Sequence, residues 1–146
     1  MLNQTESFVE TQMHRIVAGE VEGLLEVYTP PLPIFYPGGV LMHEKSEDVR
    51  RFLLSLNSFF RENGISRIAT RVLDVSVKKG TGTICCRLEL RCVNSDEAIL
   101  LEKNVTYYLE PATTDYKVVM LECDDTSIAE ITMRNEVDEA LPQGLN

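Results

Sequence analysis

From Ile65 to Asp125 the chain alternates apolar and polar residues with a period of two, in segments at 65–78, 82–94, 98–110 and 115–125. A helix cannot hold that period, so this half of the chain must form strands with one buried face. In the second segment Ile84, Cys86, Leu88, Leu90 and Cys92 alternate with Cys85, Arg87, Glu89 and Arg91, which makes one face apolar and the other polar. The intervening stretches, Lys79-Gly80-Thr81-Gly82, Asn94-Ser95-Asp96 and Pro111 to Asp115, are short and rich in turn-forming residues. They predict hairpins rather than crossovers, and hence an antiparallel meander.

One apolar sheet face needs a cover, and the first half of the chain supplies helical periods. Thr5 to Ala18 places Val9, Met13, Ile16 and Val17 on one face ahead of Gly19, and Glu20 to Tyr28 repeats the spacing with Val21, Leu24 and Leu25 until Pro30-Pro31 stops it. A short hairpin is predicted from Leu32–Tyr36 and Val40–His43 around Pro37-Gly38-Gly39. Ser46 then reads as the N-cap of a third helix ending at Gly64, with Val49, Phe52, Leu53, Leu56 and Phe60 along one stripe. The order α-α-β-β-α-β-β-β-β predicts an α+β fold in which three N-terminal helices cover a curved antiparallel sheet. The 146 residues read as a single domain over 1–132 followed by a polar C-terminal tail over 133–146.

Composition narrows the partners. With 44% hydrophobic and 25% charged residues the chain can fill one core without metal or disulfides. A formal net charge of −9 repels phosphate backbones and anionic lipid, so neither nucleic acid nor membrane is an expected partner. The longest uncharged stretch, Tyr28 to Met42, contains four prolines and cannot be a membrane helix. Met1 to Glu10 has no basic or apolar leader, which reads as cytoplasmic. Cys85, Cys86, Cys92 and Cys123 have no CxxC spacing and no neighbouring histidine, so they read as free thiols, and no metal or other cofactor is expected.

The run Ala18-Gly19-Glu20-Val21-Glu22-Gly23-Leu24-Leu25-Glu26-Val27-Tyr28-Thr29-Pro30, followed by Ile34-Phe35-Tyr36-Pro37-Gly38-Gly39, resembles the opening of the SnoaL-like branch of the nuclear transport factor 2-like superfamily. The likeness extends through the third helix and the four strands, over roughly residues 5 to 130. It implies a cone-like, cystatin-like fold whose mouth holds a small-molecule cavity between sheet and helices, and a homodimer formed through the sheets. It also implies a proton-transferring aspartate near the end of the first strand, but the matching position here is Tyr36. A phenol is a poor base at neutral pH and a good donor to a developing oxyanion; otherwise it is cavity wall.

In the last strand Tyr116, Val118, Met120, Glu122 and Asp124 alternate with Lys117, Val119, Leu121, Cys123 and Asp125, and period two alone leaves the inward set open. The resemblance implies that the Tyr116 set faces the cavity, which puts Glu122 inside as a carboxyl of raised pKa able to act as general acid or base. The alternative is an exposed or salt-bridged strand acid. Tyr107 shares parity with Ile99, Leu101, Val105 and Leu109 and is expected inside, with Tyr108 outside. His14 reads as a solvated helix residue and His43 as an exposed loop residue near the mouth.

These assignments predict a site lined by Tyr28, Ile34, Leu56, Phe60, Leu90, Tyr107 and Met120, with Tyr36 and Glu122 as candidate catalytic residues. The leading reading is a protein that binds a small hydrophobic molecule in this apolar cavity. The first alternative is an isomerase, cyclase or dehydratase with Glu122 as base and Tyr36 as donor, and the second is a non-catalytic dimeric interaction module. Val93, Tyr108, Val119, Leu121 and Cys123, of opposite parity, are the expected dimer face.

Overall fold

The computed structural model of the protein describes residues 2–132; the polar tail predicted over 133–146 lies outside the described residues. Helix α1 (Leu2–Ala18) leads through a short 3-10 turn (Glu22–Leu24) to the hairpin β1 (Leu32–Tyr36) and β2 (Gly39–His43). Helix α2 (Ser46–Glu62) precedes β3 (Arg67–Val77), β4 (Ile84–Val93), β5 (Ile99–Pro111) and β6 (Tyr116–Cys123). Residues 127–132 close the described chain as a helix. The sheet order is β2-β1-β6-β5-β4-β3, an open curved sheet with the helices on one face. Four of its pairings are antiparallel and the fifth, β1 with β6, is parallel, so the sheet is mixed at this one joint.

The expected second helix is reduced to its 3-10 turn. Its apolar residues do turn inward, with Leu24 and Tyr28 buried, but the backbone of residues 27–29 pairs with β6 instead of continuing the helix. The Val118 amide donates to the Val27 carbonyl at 2.8 Å, and the Thr29 amide donates to the Val118 carbonyl at 3.3 Å. The first of these sheet bonds satisfies a carbonyl that a helix ending at Pro30 would leave open.

Helix α2 starts one residue earlier than the sequence suggests. Lys45, extended at φ −119° and ψ 159°, occupies the cap position, and its amide donates to the Asp48 carboxylate at 3.0 Å. Glu47 and Asp48 place negative charge in the first turn, where the helix dipole favours it. Val49, Phe52 and Leu53 are buried against the sheet. Asn57, also buried, donates from Nδ2 to the carbonyls of Ile16 at 2.8 Å and Val17 at 3.2 Å. The two helices are thereby joined where α1 runs out of its own donors, just before Gly19 at φ +81° reverses the chain.

Three single-residue register shifts bend the sheet. They fall at Leu73 of β3, at Leu100 of β5 and at Val119 of β6, and the two leucines are among the exposed apolar residues. Beneath the concave face lie Leu32, Ile34, Ile68, Leu88, Leu109 and Val118, all essentially inaccessible. Replacing the fully buried Leu53 by Ala is expected to cost about 2 to 5 kcal/mol in urea unfolding, since it empties a core position. Leu54→Ala, on the exposed side of the same turn, should change stability by less than about 0.5 kcal/mol. Equal losses would reject this helix facing.

Candidate functional site

The concave side of the sheet encloses an apolar cavity of about 110 Å³. Phe52, Leu56, Phe59 and Phe60 of α2 form one wall, and Ile68, Leu90, Cys92, Val105, Tyr107, Leu121 and Cys123 form the sheet wall. Ile128 and Ile131 of the closing helix cover the remaining side. Polar groups enter only at the rim, where Lys103, Asn104, Asp125 and Ser127 sit, and at Tyr107.

Tyr107 is buried, and its hydroxyl lies 3.1 Å from that of Tyr28, with the rings edge to face at 6.5 Å. Burial, foremost, pushes both phenols well above their ordinary pKa, so each stays protonated at neutral pH. Two hydroxyls carry two protons. One lies in the bond between them, and the other is free to bind an acceptor. The pair is thus a neutral hydrogen-bonding group in an apolar enclosure.

At the rim the Lys103 ammonium meets the Asp125 carboxylate at 2.7 Å. The second oxygen of Asp125 accepts the Ser127 amide at 2.9 Å and the Ser127 hydroxyl at 2.5 Å, which ties the start of the closing helix to β5. Partial burial alone would raise the Asp125 pKa, but the bonds from Lys103 and Ser127 outweigh it and hold the carboxyl at about 2. A carboxylate that acidic is a poor base near neutral pH. Burial likewise lifts the Cys92 and Cys123 thiols to about 11 and about 12, so both line the cavity as neutral apolar groups.

Of the residues expected in the site, Leu56, Phe60, Leu90 and Tyr107 line this cavity, and Tyr28 reaches it through Tyr107. Ile34 is buried in the core beside it. Met120 and Glu122 lie on the outer sheet face, contrary to expectation. The cause is the bulge in β6: Leu109 pairs with Val118, but Tyr108 pairs with Met120, so Val119 is extra and the facing inverts after it. Glu122 is exposed and accepts a hydrogen bond from the Tyr108 hydroxyl at 3.3 Å. Leu121 and Cys123, expected outside, point into the cavity.

Tyr36 is also away from the cavity. It packs over Gly39, where a Cβ would lie 2.7 Å from the phenol oxygen, so a larger residue there would make the tyrosine ring shift. The expected pairing of Glu122 with Tyr36 is therefore not assembled around this space. His43, expected in an exposed loop, is buried, because its place opposite Leu32 lets its Nδ1 donate to the Leu32 carbonyl at 3.1 Å and sets its ring 5.1 Å from that of Phe52. His14 is exposed on α1. The Lys103–Asp125 pair was missed; its sequence signal is Asp125-Thr126-Ser127 before an apolar helical spacing, a helix-start pattern. Among the described residues no cluster of three or more His, Cys, Asp or Glu could hold a metal ion, and no helix is long and apolar enough to cross a membrane.

No family model matches the sequence, and no curated protein matches it. Solved structures do. Aln2 from a Streptomyces species superposes with a TM-score of 0.61 at 14% identity, covering 87% of this chain and 91% of its own. A domain of unknown function with a cystatin-like fold from Nostoc punctiforme gives 0.60 at 11% identity, over 97% of this chain and 86% of its own. An NTF-2 like protein of unknown function from Shewanella oneidensis gives 0.57 at 8% identity, over 84% and 98%. The chain has the nuclear transport factor 2-like, cystatin-like α+β fold, and at these identities the likeness is one of fold.

The rim contact sets a pH dependence. Because the Asp125 pKa is lowered from 3.8 to about 2 by folding, the stability it lends is fully present above about 3.8 and is lost as pH falls through about 2. A titration followed at the Asp125 carboxyl carbon should give a midpoint of about 2, and one near 3.8 would mean that the Lys103 and Ser127 contacts do not hold in solution.

Proposed function

We propose that the protein binds a small, mainly apolar molecule carrying one hydrogen-bond acceptor. The observation behind this is the neutral Tyr107–Tyr28 pair, whose Tyr107 lines an otherwise apolar cavity away from its charged rim. Such a site fixes a ligand by shape and orients it by a single polar contact. At about 110 Å³ the space is smaller than the roughly 150 Å³ cavity that accepts benzene in an engineered protein, so even a single six-membered ring needs the wall formed by the closing helix to yield. Binding without proton transfer suits the chemistry, since the phenols remain protonated and Asp125 is ionised at the rim.

A second copy of the chain is the proposed protein partner. Phe35, Val40 and Met42 are 40%, 46% and 51% exposed on the outer face of the β1–β2 hairpin. Phe35 lies beside Glu122 of β6, next in line to Met120 and its partner Tyr108. This patch replaces the face expected from the alternation, because the bulge takes Leu121 and Cys123 inward and Val93 is buried. Sedimentation at micromolar concentration is expected to give a dimer that Phe35→Glu converts to monomer; a wild-type monomer would reject the pairing.

Cyclohexanone and cyclohexane test the cavity reading by ligand-observed NMR. Cyclohexanone should bind wild type more tightly, and Tyr107→Phe should cut its affinity about two- to tenfold while leaving cyclohexane unchanged. Equal binding of the ketone to both proteins, or none to either, would reject the reading.

A further inference from the structure

The walls of the apolar cavity differ in how firmly they are held. The sheet wall lies within the hydrogen-bonded ladders of β3 to β6, and the α2 wall belongs to a 17-residue helix that Asn57 ties to α1. The remaining wall is the closing helix over residues 127–132. Isolated helices shorter than about 12 residues are marginal in water, so the order of this one depends on what it docks against. Ile128 and Ile131 dock on the cavity, and Ala129 and Thr132 are also buried. Its hydrogen bonds stay within the segment. The Ala129 and Glu130 amides donate to the Thr126 carbonyl at 3.1 and 3.2 Å, and the Thr132 hydroxyl donates to the Ile128 carbonyl at 2.9 Å. Among the described residues its polar link to the sheet runs through Asp125, one oxygen of which takes the Lys103 ammonium while the other takes the Ser127 amide and hydroxyl.

We infer that the closing helix is the gate of the apolar cavity and that Asp125 is its latch. What the gate admits rests on the binding reading above. A ring larger than the resting space enters only while a wall is displaced, and the wall that moves at least cost is the one with no backbone ladder to the rest of the fold. Because one carboxylate answers both Lys103 and Ser127, its release frees the helix start from β5 in a single event and leaves only apolar contacts holding the helix. Side-chain exposures of 32% for Lys103 and 47% for Asp125 let solvent screen the pair, so the latch opens by local fluctuation and does not seal the site. Occupancy then favours the closed state, since a bound ring gives Ile128 and Ile131 more apolar surface to cover.

The cavity carries its own reporters of opening. Cys92 lines it and is buried, whereas Cys86 is fully buried outside it. Alkylation of the folded full-length protein by N-ethylmaleimide, followed at each cysteine by mass spectrometry, therefore reads the gate with no ligand present. Asp125→Ala should speed Cys92 labelling about five- to thirtyfold and Lys103→Met about two- to fivefold, with Cys86 unchanged in both. The two variants control for charge, because Lys103 favours the Cys92 thiolate and its removal alone would slow the reaction. The gate is overturned if Cys92 labelling stays at the wild-type rate in Asp125→Ala, if Asp125→Ala alone speeds it, or if Cys86 accelerates by the same factor, which means that the whole domain has loosened. Labelling as expected in a protein that binds no cyclohexanone would overturn the binding reading alone, and unchanged labelling in a protein that binds it would overturn the gate alone.

Discussion

One extra residue in β6 decides which side chains the interior contains. The slip at Val119 inverts the facing of everything after it, so Leu121 and Cys123 enter the cavity while Met120 and Glu122 leave it. The same strand carries the parallel joint to β1 and the bridge to Tyr28, both within a few residues of the slip. Without the bulge Met120 would sit where Leu121 now packs and Glu122 where Cys123 now lies, opposite Val105, and burying that carboxylate without a cation is unfavourable by several kcal/mol, about the whole margin of a small domain. The interior stays neutral because a backbone irregularity keeps the acid outside.

Enclosure follows from how the helices are fixed over that face. Asn57 ties α2 to the last carbonyls of α1, and the aromatic stripe of α2 then meets the sheet at a fixed depth. The closing helix completes the wall through Ile128 and Ile131, and its attachment depends on Asp125, which answers both Lys103 and Ser127. A hydrogen-bonded ionic contact at the rim leaves the floor free of charge, and the polar chemistry there is that of the Tyr28–Tyr107 pair. Such an arrangement favours recognition over proton transfer, since a base that works near neutral pH needs a pKa close to it.

The outer surfaces divide the remaining roles. The β1–β2 half of the sheet's outer face is apolar, whereas the β3–β4 half carries paired charges, Arg71 with Glu89 and Arg91 with Glu89 and Glu102. Exposed pairs of this kind add little stability but keep that half hydrated. The proposed self-association surface lies at the β1–β2 end of the sheet.

The sequence by itself determined the order of the strands and of the two long helices, the hairpins and the apolar face of β4, because regular alternation and turn residues are local signals that tertiary contacts did not contradict. It also determined the inward stripe of α2, whose spacing admits one facing only, and the inward choice of Tyr107. It could not determine the facing of β6 past Val119: Val118, Val119, Met120 and Leu121 are apolar in succession, so neither parity stands out, and a bulge depends on its partner strand. Nor could it show that residues 27–29 give up helical bonds for sheet bonds, since the acceptor on Val118 lies about ninety residues away. Gln12 carries no local mark at all. Its burial is set by what packs around α1 from elsewhere in the chain, and such long-range desolvation is decided by the tertiary structure alone.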